Sequence, residues 1–175
     1  MTDTIREGKM INTMLKKFFM LSAVILFFGL CSASLFAQTA AELEELLQIQ
    51  AVSYGQAARF VLAAADAANL QDTERACTFA AERRWLPKKT AAAQTARLDG
   101  VALLLMQAFA VKGGMWYSLT KSPHYAYREL VYQDIIQGRA DPKMTVSGDQ
   151  LLFLINRLLS YQENAALAAD GKDQP

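Results

Sequence analysis

Residues 101–109 read VALLLMQAF and residues 151–159 read LLFLINRLL, and these two stretches decide the fold class. Val101, Leu104, Leu105, Ala108 and Phe109 stand at positions i, i+3, i+4, i+7 and i+8, as do Leu151, Leu154, Ile155, Leu158 and Leu159. That spacing gathers apolar side chains on one side of an α-helix, so each stretch is predicted to bury one helical face. Ala57, Phe60, Val61, Ala64 and Ala65 repeat the spacing with smaller side chains, and their helix must therefore approach its neighbour closely. Shorter helices are expected over Asp72–Arg84 and Tyr125–Gln133. Each runs into an apolar exit, Trp85-Leu86-Pro87 in one case and Ile135-Ile136-Gln137-Gly138 in the other, where Pro87 and Gly138 act as helix breakers. With Ala, Leu and Gln abundant and β-branched runs few, the expectation is a small all-α helical bundle.

The faces are related by fixed offsets, which is the signature of internal repeats. Adding 50 carries Ala76 to Ala126, Leu86 to Ile136, Thr95 to Thr145, Asp99 to Asp149 and the whole Val101 face onto the Leu151 face. Adding 94 carries Val52-Ser53 to Val146-Ser147 and Gln56 to Gln150. Ser53 with Gln56, and Ser147 with Gln150, have the spacing of a capping box, in which the hydroxyl accepts from a free helix amide while Gln reaches back to the cap amide.

The chain opens differently. Lys16 and Lys17 precede an uncharged, apolar run from Phe18 to Leu30, followed by Cys31, Ser32, Ala33 and Ser34. Basic, apolar and small residues in that order read as a secretory signal peptide. The run is shorter than the roughly 20 residues that span a bilayer, which argues against a permanent membrane helix. Cleavage after Ala37 or after Ala33, lipid attachment at Cys31, and a start at Met1 or at Met14 all stay open. Removing residues 1–37 takes away Arg6, Lys9, Lys16, Lys17, Asp3 and Glu7 and leaves 14 basic and 15 acidic residues. The basic footprint that nucleic-acid binding requires is missing. Cys77 is then the sole cysteine, so stability must come from packing and not from an internal disulfide. The expected organisation is an N-terminal extension with signal peptide over 1–37, one helical repeat domain over 38–165 with units at about 40–68, 72–110 and 122–161, and a flexible tail over 166–175.

A short helix, an apolar exit, a loop with Asp and Pro and then a capped apolar helix occur in Tyr125-Ala126-Tyr127-Arg128-Glu129-Leu130, Asp134-Ile135-Ile136-Gln137-Gly138, Asp141-Pro142 and Val146-Ser147-Gly148-Asp149-Gln150-Leu151. That order resembles the S-layer homology (SLH) module. Residues 76–109 look like a second copy, and Ser53 to Ala65 like the second helix of another. The resemblance implies about three SLH-like helix-loop-helix units with pseudo-threefold character, a family that attaches proteins to cell-wall polymers such as secondary polysaccharides or peptidoglycan. The family's Thr-Arg-Ala-Glu signature falls on Ser147-Gly148-Asp149-Gln150 and on Ser53-Tyr54-Gly55-Gln56, neither of which has Arg. In the gap-free register the middle unit presents Arg97-Leu98-Asp99-Gly100, with Arg97 in the Thr place; a shift by one residue restores Arg97 and Asp99 to the Arg and Glu places.

Catalysis needs several positioned groups, and the chain supplies few. His124 is the single histidine and, beside Pro123 at a helix start, reads as a surface or capping residue. Cys77 between Ala76 and Ala80 reads as a buried thiol. No zinc-spaced cluster occurs, and Gly113-Gly114 reads as a helix stop and turn, not a phosphate loop, so no enzyme activity, metal or cofactor is expected. Met115-Trp116-Tyr117, Tyr125, Tyr127 and Tyr132 either close the core between repeats or stack on sugars or a protein partner. Arg83, Arg84, Lys88 and Lys89 around Trp85 suit the negative pole of a helix or an anionic polymer. The expected function is a non-enzymatic, exported module of the periplasm or cell surface that binds peptidoglycan or another cell-wall polymer, with Arg97, Asp99, Arg84, Lys88, Trp85 and Trp116 as ligand-binding residues. The alternative is a periplasmic protein-interaction or scaffold domain that contacts an envelope protein. Membrane contact is expected only through the signal segment before cleavage.

Overall fold

A computed structural model describes residues 40–138 and 140–170. Every regular element among them is a helix, so the described chain is all-α. The expected signal segment, its cleavage points, Cys31 and both candidate start residues lie outside the described residues. Two compact units divide the chain, 1–45 and 46–175. The described part of the first, 40–45, is helical and belongs to a helix, α1 (40–48), whose last turn lies in the second unit. The second unit continues with α2 (Tyr54–Ala64), α3 (Thr73–Glu82), α4 (Leu98–Ala108), α5 (Met115–Thr120), α6 (Pro123–Tyr132) and α7 (Gly148–Asp170).

Local chemistry explains where the two short helices begin and end. The Asp72 carboxylate accepts from the Glu74 amide at 2.9 Å to start α3, and the Ser122 hydroxyl accepts from the Tyr125 amide at 3.5 Å to start α6, with Pro123 in the first turn where its missing N–H costs nothing. Both stop on a left-handed residue, Arg84 at φ 60° and Asp134 at φ 57°. The following amides, Trp85 and Ile135, turn back to the carbonyls of Ala80 and Leu130, closing the last turn. Pro87 and Gly138 therefore lie downstream of the real stops. His124 is exposed in the first turn of α6, and Ser122 is the residue that caps it.

The core forms where α2 packs against α3, α4 and α7, and α4 against α6. The α2 helix can approach closely because Ala57 and Ala58 face inward. The α4 helix buries more than the single face its periodicity predicts: Leu98 and every residue from Gly100 to Met106 are buried, because α2 and α6 both cover it. Each buried leucine there contributes roughly 2 kcal/mol. In α7 the face is buried from Leu151 through Leu158, and Leu159 is exposed. The helix then continues beyond residue 165, where the sequence reading places the end of the domain, to Asp170. Cys77 is buried in this core, and burial pushes its thiol pKa up.

Three segments between helices meet at the centre. The Val52 amide donates to the Val146 carbonyl at 2.8 Å, the Val146 amide to the Ala96 carbonyl at 3.2 Å, and the Ala96 amide to the Val52 carbonyl at 2.8 Å. Each residue gives and receives one bond, closing a triangle, and none of the three is exposed. Two residues further on, Tyr54 donates to Gln94, Leu98 to Met144 and Gly148 to Ile49 at 2.8–3.0 Å. Side chains cannot intrude on such close backbone pairing. A Cβ on Gly148 would lie 1.7 Å from the Leu46 carbonyl oxygen, so only glycine fits there.

Candidate functional site

The residues that follow the triangle, Ser53, Arg97 and Ser147, begin α2, α4 and α7. A helix start leaves amides without intrahelical partners, and here neighbouring backbone takes several of them. Tyr54 and Gly55 donate to Gln94 and Ala92, and Leu98 and Asp99 donate to Met144 and Pro142, at 2.9–3.0 Å. The two starts then diverge. At α2 the Ser53 hydroxyl accepts from the Gln56 amide at 3.2 Å, and the Gln56 side-chain oxygen accepts from the Ser53 amide at 2.9 Å, a complete capping box. At α4 the first position is Arg97, which makes no side-chain cap.

Tyr54 fills the missing role at α4. Gly100 stands where α2 has Gln56, and the Tyr54 phenol occupies the space its side chain would take: a Cβ on Gly100 would come within 2.2 Å of the hydroxyl. The Tyr54 oxygen accepts from the Arg97 amide at 3.3 Å. Burial raises the Tyr54 pKa, so the phenol stays protonated. With its backbone satisfied in this way, Arg97 leaves its side chain for other work. Nη2 of its guanidinium donates to Asp99 Oδ2 at 2.6 Å, with side-chain exposures of 43% and 17%. Its Nε is buried without a hydrogen-bond partner. A guanidinium has five N–H donors, so most of its capacity remains for an incoming acceptor, and Asp99 holds its orientation.

Arg97 occupies the cap position of α4 and not the position after it. The third start differs again. The Ser147 hydroxyl donates to Asp149 at 2.5 Å, and the Asp149 carboxylate accepts from the Gln150 amide. Both bonds, led by that from Ser147, hold the Asp149 carboxyl below its usual pKa. The capping box expected between Ser147 and Gln150 is thus replaced by Asp149.

The other expected site residues lie in two further groupings. Arg84, Trp85 and Lys88 follow α3. Trp85 is half-buried and meets Phe79 edge-on at 6.2 Å, while the Arg83 guanidinium stacks 3.5 Å from the Phe79 ring centre; Arg84 and Lys88 are exposed. A groove of about 340 Å³ beside Phe79 is lined by Leu70, Glu74, Arg75, Thr78 and Glu82. Trp116 belongs to α5 and stacks on Tyr125 of α6 with centroids 6.4 Å apart and planes 16° apart. Among the described residues, no hydrogen bond, ion pair or ring contact joins these groupings to Arg97 and Asp99. The described residues contain no cluster of three or more His, Cys, Asp or Glu able to hold a metal.

Sequence reasoning missed Tyr54 and Gly100, which meet only because α2 and α4 come together in space; Tyr54 and the Arg97 amide it takes are 43 residues apart in the chain. The absence of Gln at position 100 was the available signal. Comparison of the chain with models of protein families, with curated proteins and with solved structures finds no match.

Proposed function

We propose that this chain is an exported, non-enzymatic module of the cell envelope, built of about three SLH-like units, that binds peptidoglycan or another cell-wall polymer at the start of α4. The observation that carries the reading is the closed hydrogen-bond triangle of Val52, Ala96 and Val146, an arrangement suited to three similar units around one axis. Arg97 and Asp99 stand directly beside it. Polysaccharide hydroxyls and peptide carboxylates are acceptors for the unused guanidinium donors, and Asp99 can accept from a hydroxyl. Arg84, Lys88, Trp85 and Trp116 would add charge and stacking only along an extended polymer, since they lie in other groupings.

One observation favours the scaffold alternative. Arg97 and Asp99 already pair with each other, which suits a module that keeps the fold while contacting an envelope protein. Co-sedimentation with peptidoglycan sacculi separates the two readings. Wild type should pellet, and Arg97→Ala and Asp99→Ala should remain in the supernatant with unchanged far-UV circular dichroism. Failure of the folded wild type to pellet would remove peptidoglycan as the ligand. Export is tested by intact mass of the envelope fraction, which should begin after Ala33 or Ala37, or carry lipid at Cys31; an intact N-terminus on cytoplasmic protein would overturn it.

A further inference from the structure

The connection from α2 to α3 spans residues 65–72, whereas that from α4 to α6 spans 109–122 and carries α5. This added arm contributes little to the core: Tyr117 is its only buried helical residue, anchored by Gln107, whose side-chain amide donates to the phenol oxygen at 2.7 Å. What the arm exposes is large and apolar. Met115 is 75% exposed, Trp116 59% and Leu119 76%. Lys112 and Lys121 flank the helix and are exposed, as is Arg128 on α6, while Glu129 is the half-buried carboxylate nearest Gly114. Residues 111–132 thus carry three cations and one carboxylate.

We propose that α5 is a membrane-surface contact, in which Met115, Trp116 and Leu119 enter the headgroup region of an anionic bilayer while Lys112 and Lys121 pair with lipid phosphates. Three features select lipid as the occupant. The apolar residues are bracketed by cations at both ends, complementing an anionic surface. Tryptophan and tyrosine prefer the bilayer interface, and the exposed Trp116 ring stacks on the half-buried Tyr125 ring, which supports it from α6. The Trp116 indole N–H has no hydrogen-bond acceptor among the described residues and is available to a headgroup. No described helix is long and apolar enough to cross a membrane, so the contact is with the surface. It adds a second membrane contact to the signal segment, and it does not rest on the polymer-binding reading.

The test uses the full chain carrying Trp85→Phe, which leaves Trp116 as the only tryptophan. The apolar run 18–30 can itself hold protein on vesicles, so the readout must be local to Trp116. With vesicles of equal phosphatidylglycerol and phosphatidylcholine, Trp116 emission should shift to the blue and be quenched by brominated acyl chains. Quenching should fall at least about twofold in pure phosphatidylcholine, and equally in the Lys112→Gln/Lys121→Gln variant. The complementary Trp116→Phe chain, reporting on Trp85, should show no quenching. Vesicle-bound protein with unshifted, unquenched Trp116 emission would overturn the proposal, as would failure to bind vesicles at all. A concentration-dependent dimer that Trp116→Ser abolishes would assign the arm to a second copy and overturn it equally.

Discussion

The starts of α2 and α4 solve one structural problem in two ways. Both sit beside the central triangle, and both pass their first two amides to carbonyls of a neighbouring segment. At α2 the remaining groups are satisfied locally by Ser53 and Gln56. At α4 the local cap is gone, Tyr54 reaches across to take the Arg97 amide, and an arginine stands half-exposed against Asp99. An N-cap serine is the better residue for stability, since hydroxyl caps contribute about 1 kcal/mol. Placing arginine there sacrifices that contribution and supplies a charged, oriented donor. On the proposed reading, that exchange is what a binding role at the α4 start would ask for.

The largest way to break the comparison is Gly100→Ala. A methyl group there meets the Tyr54 ring and hydroxyl, so Tyr54 must leave and the Arg97 amide loses its acceptor. Destabilisation of roughly 2–3 kcal/mol is expected by urea unfolding, whereas Gln56→Ala at the corresponding place in α2 should cost about 1 kcal/mol. Equal effects at both places would contradict the account.

Alkaline titration sharpens it next. Burial raises the pKa of Tyr54, and pushes that of Tyr117 up to about 12 from an ordinary 10.0. A raised folded pKa means the unfolded chain loses its proton first, so stability is full below pH 10 and declines as pH rises from 10 towards 12. Tyr117→Phe should flatten that decline in thermal melts without altering sacculus binding. An unchanged pH profile would show that the phenol is not held neutral under the arm. Ser53→Ala comes third, with a loss of about 1 kcal/mol in urea melts and no change in pelleting.

Much of the helical framework was legible in the sequence because periodicity is a local property. The apolar faces of α4 and α7 were visible in their spacing, the α2 start in the capping box of Ser53 and Gln56, and the α3 start in a helix placed from Asp72. The stops near Arg84 and Gln133 were legible too, but not the device that makes them: Arg84 and Asp134 turn left-handed without glycine, and the breakers Pro87 and Gly138 lie downstream. The α5 helix was not legible: Met115-Trp116-Tyr117 stood out only as an aromatic segment after the turn at Gly113-Gly114, since six residues carry too short a pattern to register. At the site, Arg97 and Asp99 were visible as residue types. Their setting was not, because Tyr54 reaches them from another helix and Gly100 matters only for the room it leaves. For the same reason Arg84, Lys88, Trp85 and Trp116 could be named together in sequence while standing in separate groupings in space.

The smallest change in stability carries the sharpest test. Arg97→Ser gives α4 a hydroxyl cap like that of α2, adding up to about 1 kcal/mol, and removes a half-exposed ion pair that contributes about as much. Thermal melting and sacculus pelleting should be measured on the same preparation of this variant. The account predicts a protein about as stable as wild type that no longer pellets. A variant that pellets like wild type would contradict it, because Arg97 would then stand at the α4 start without binding anything there.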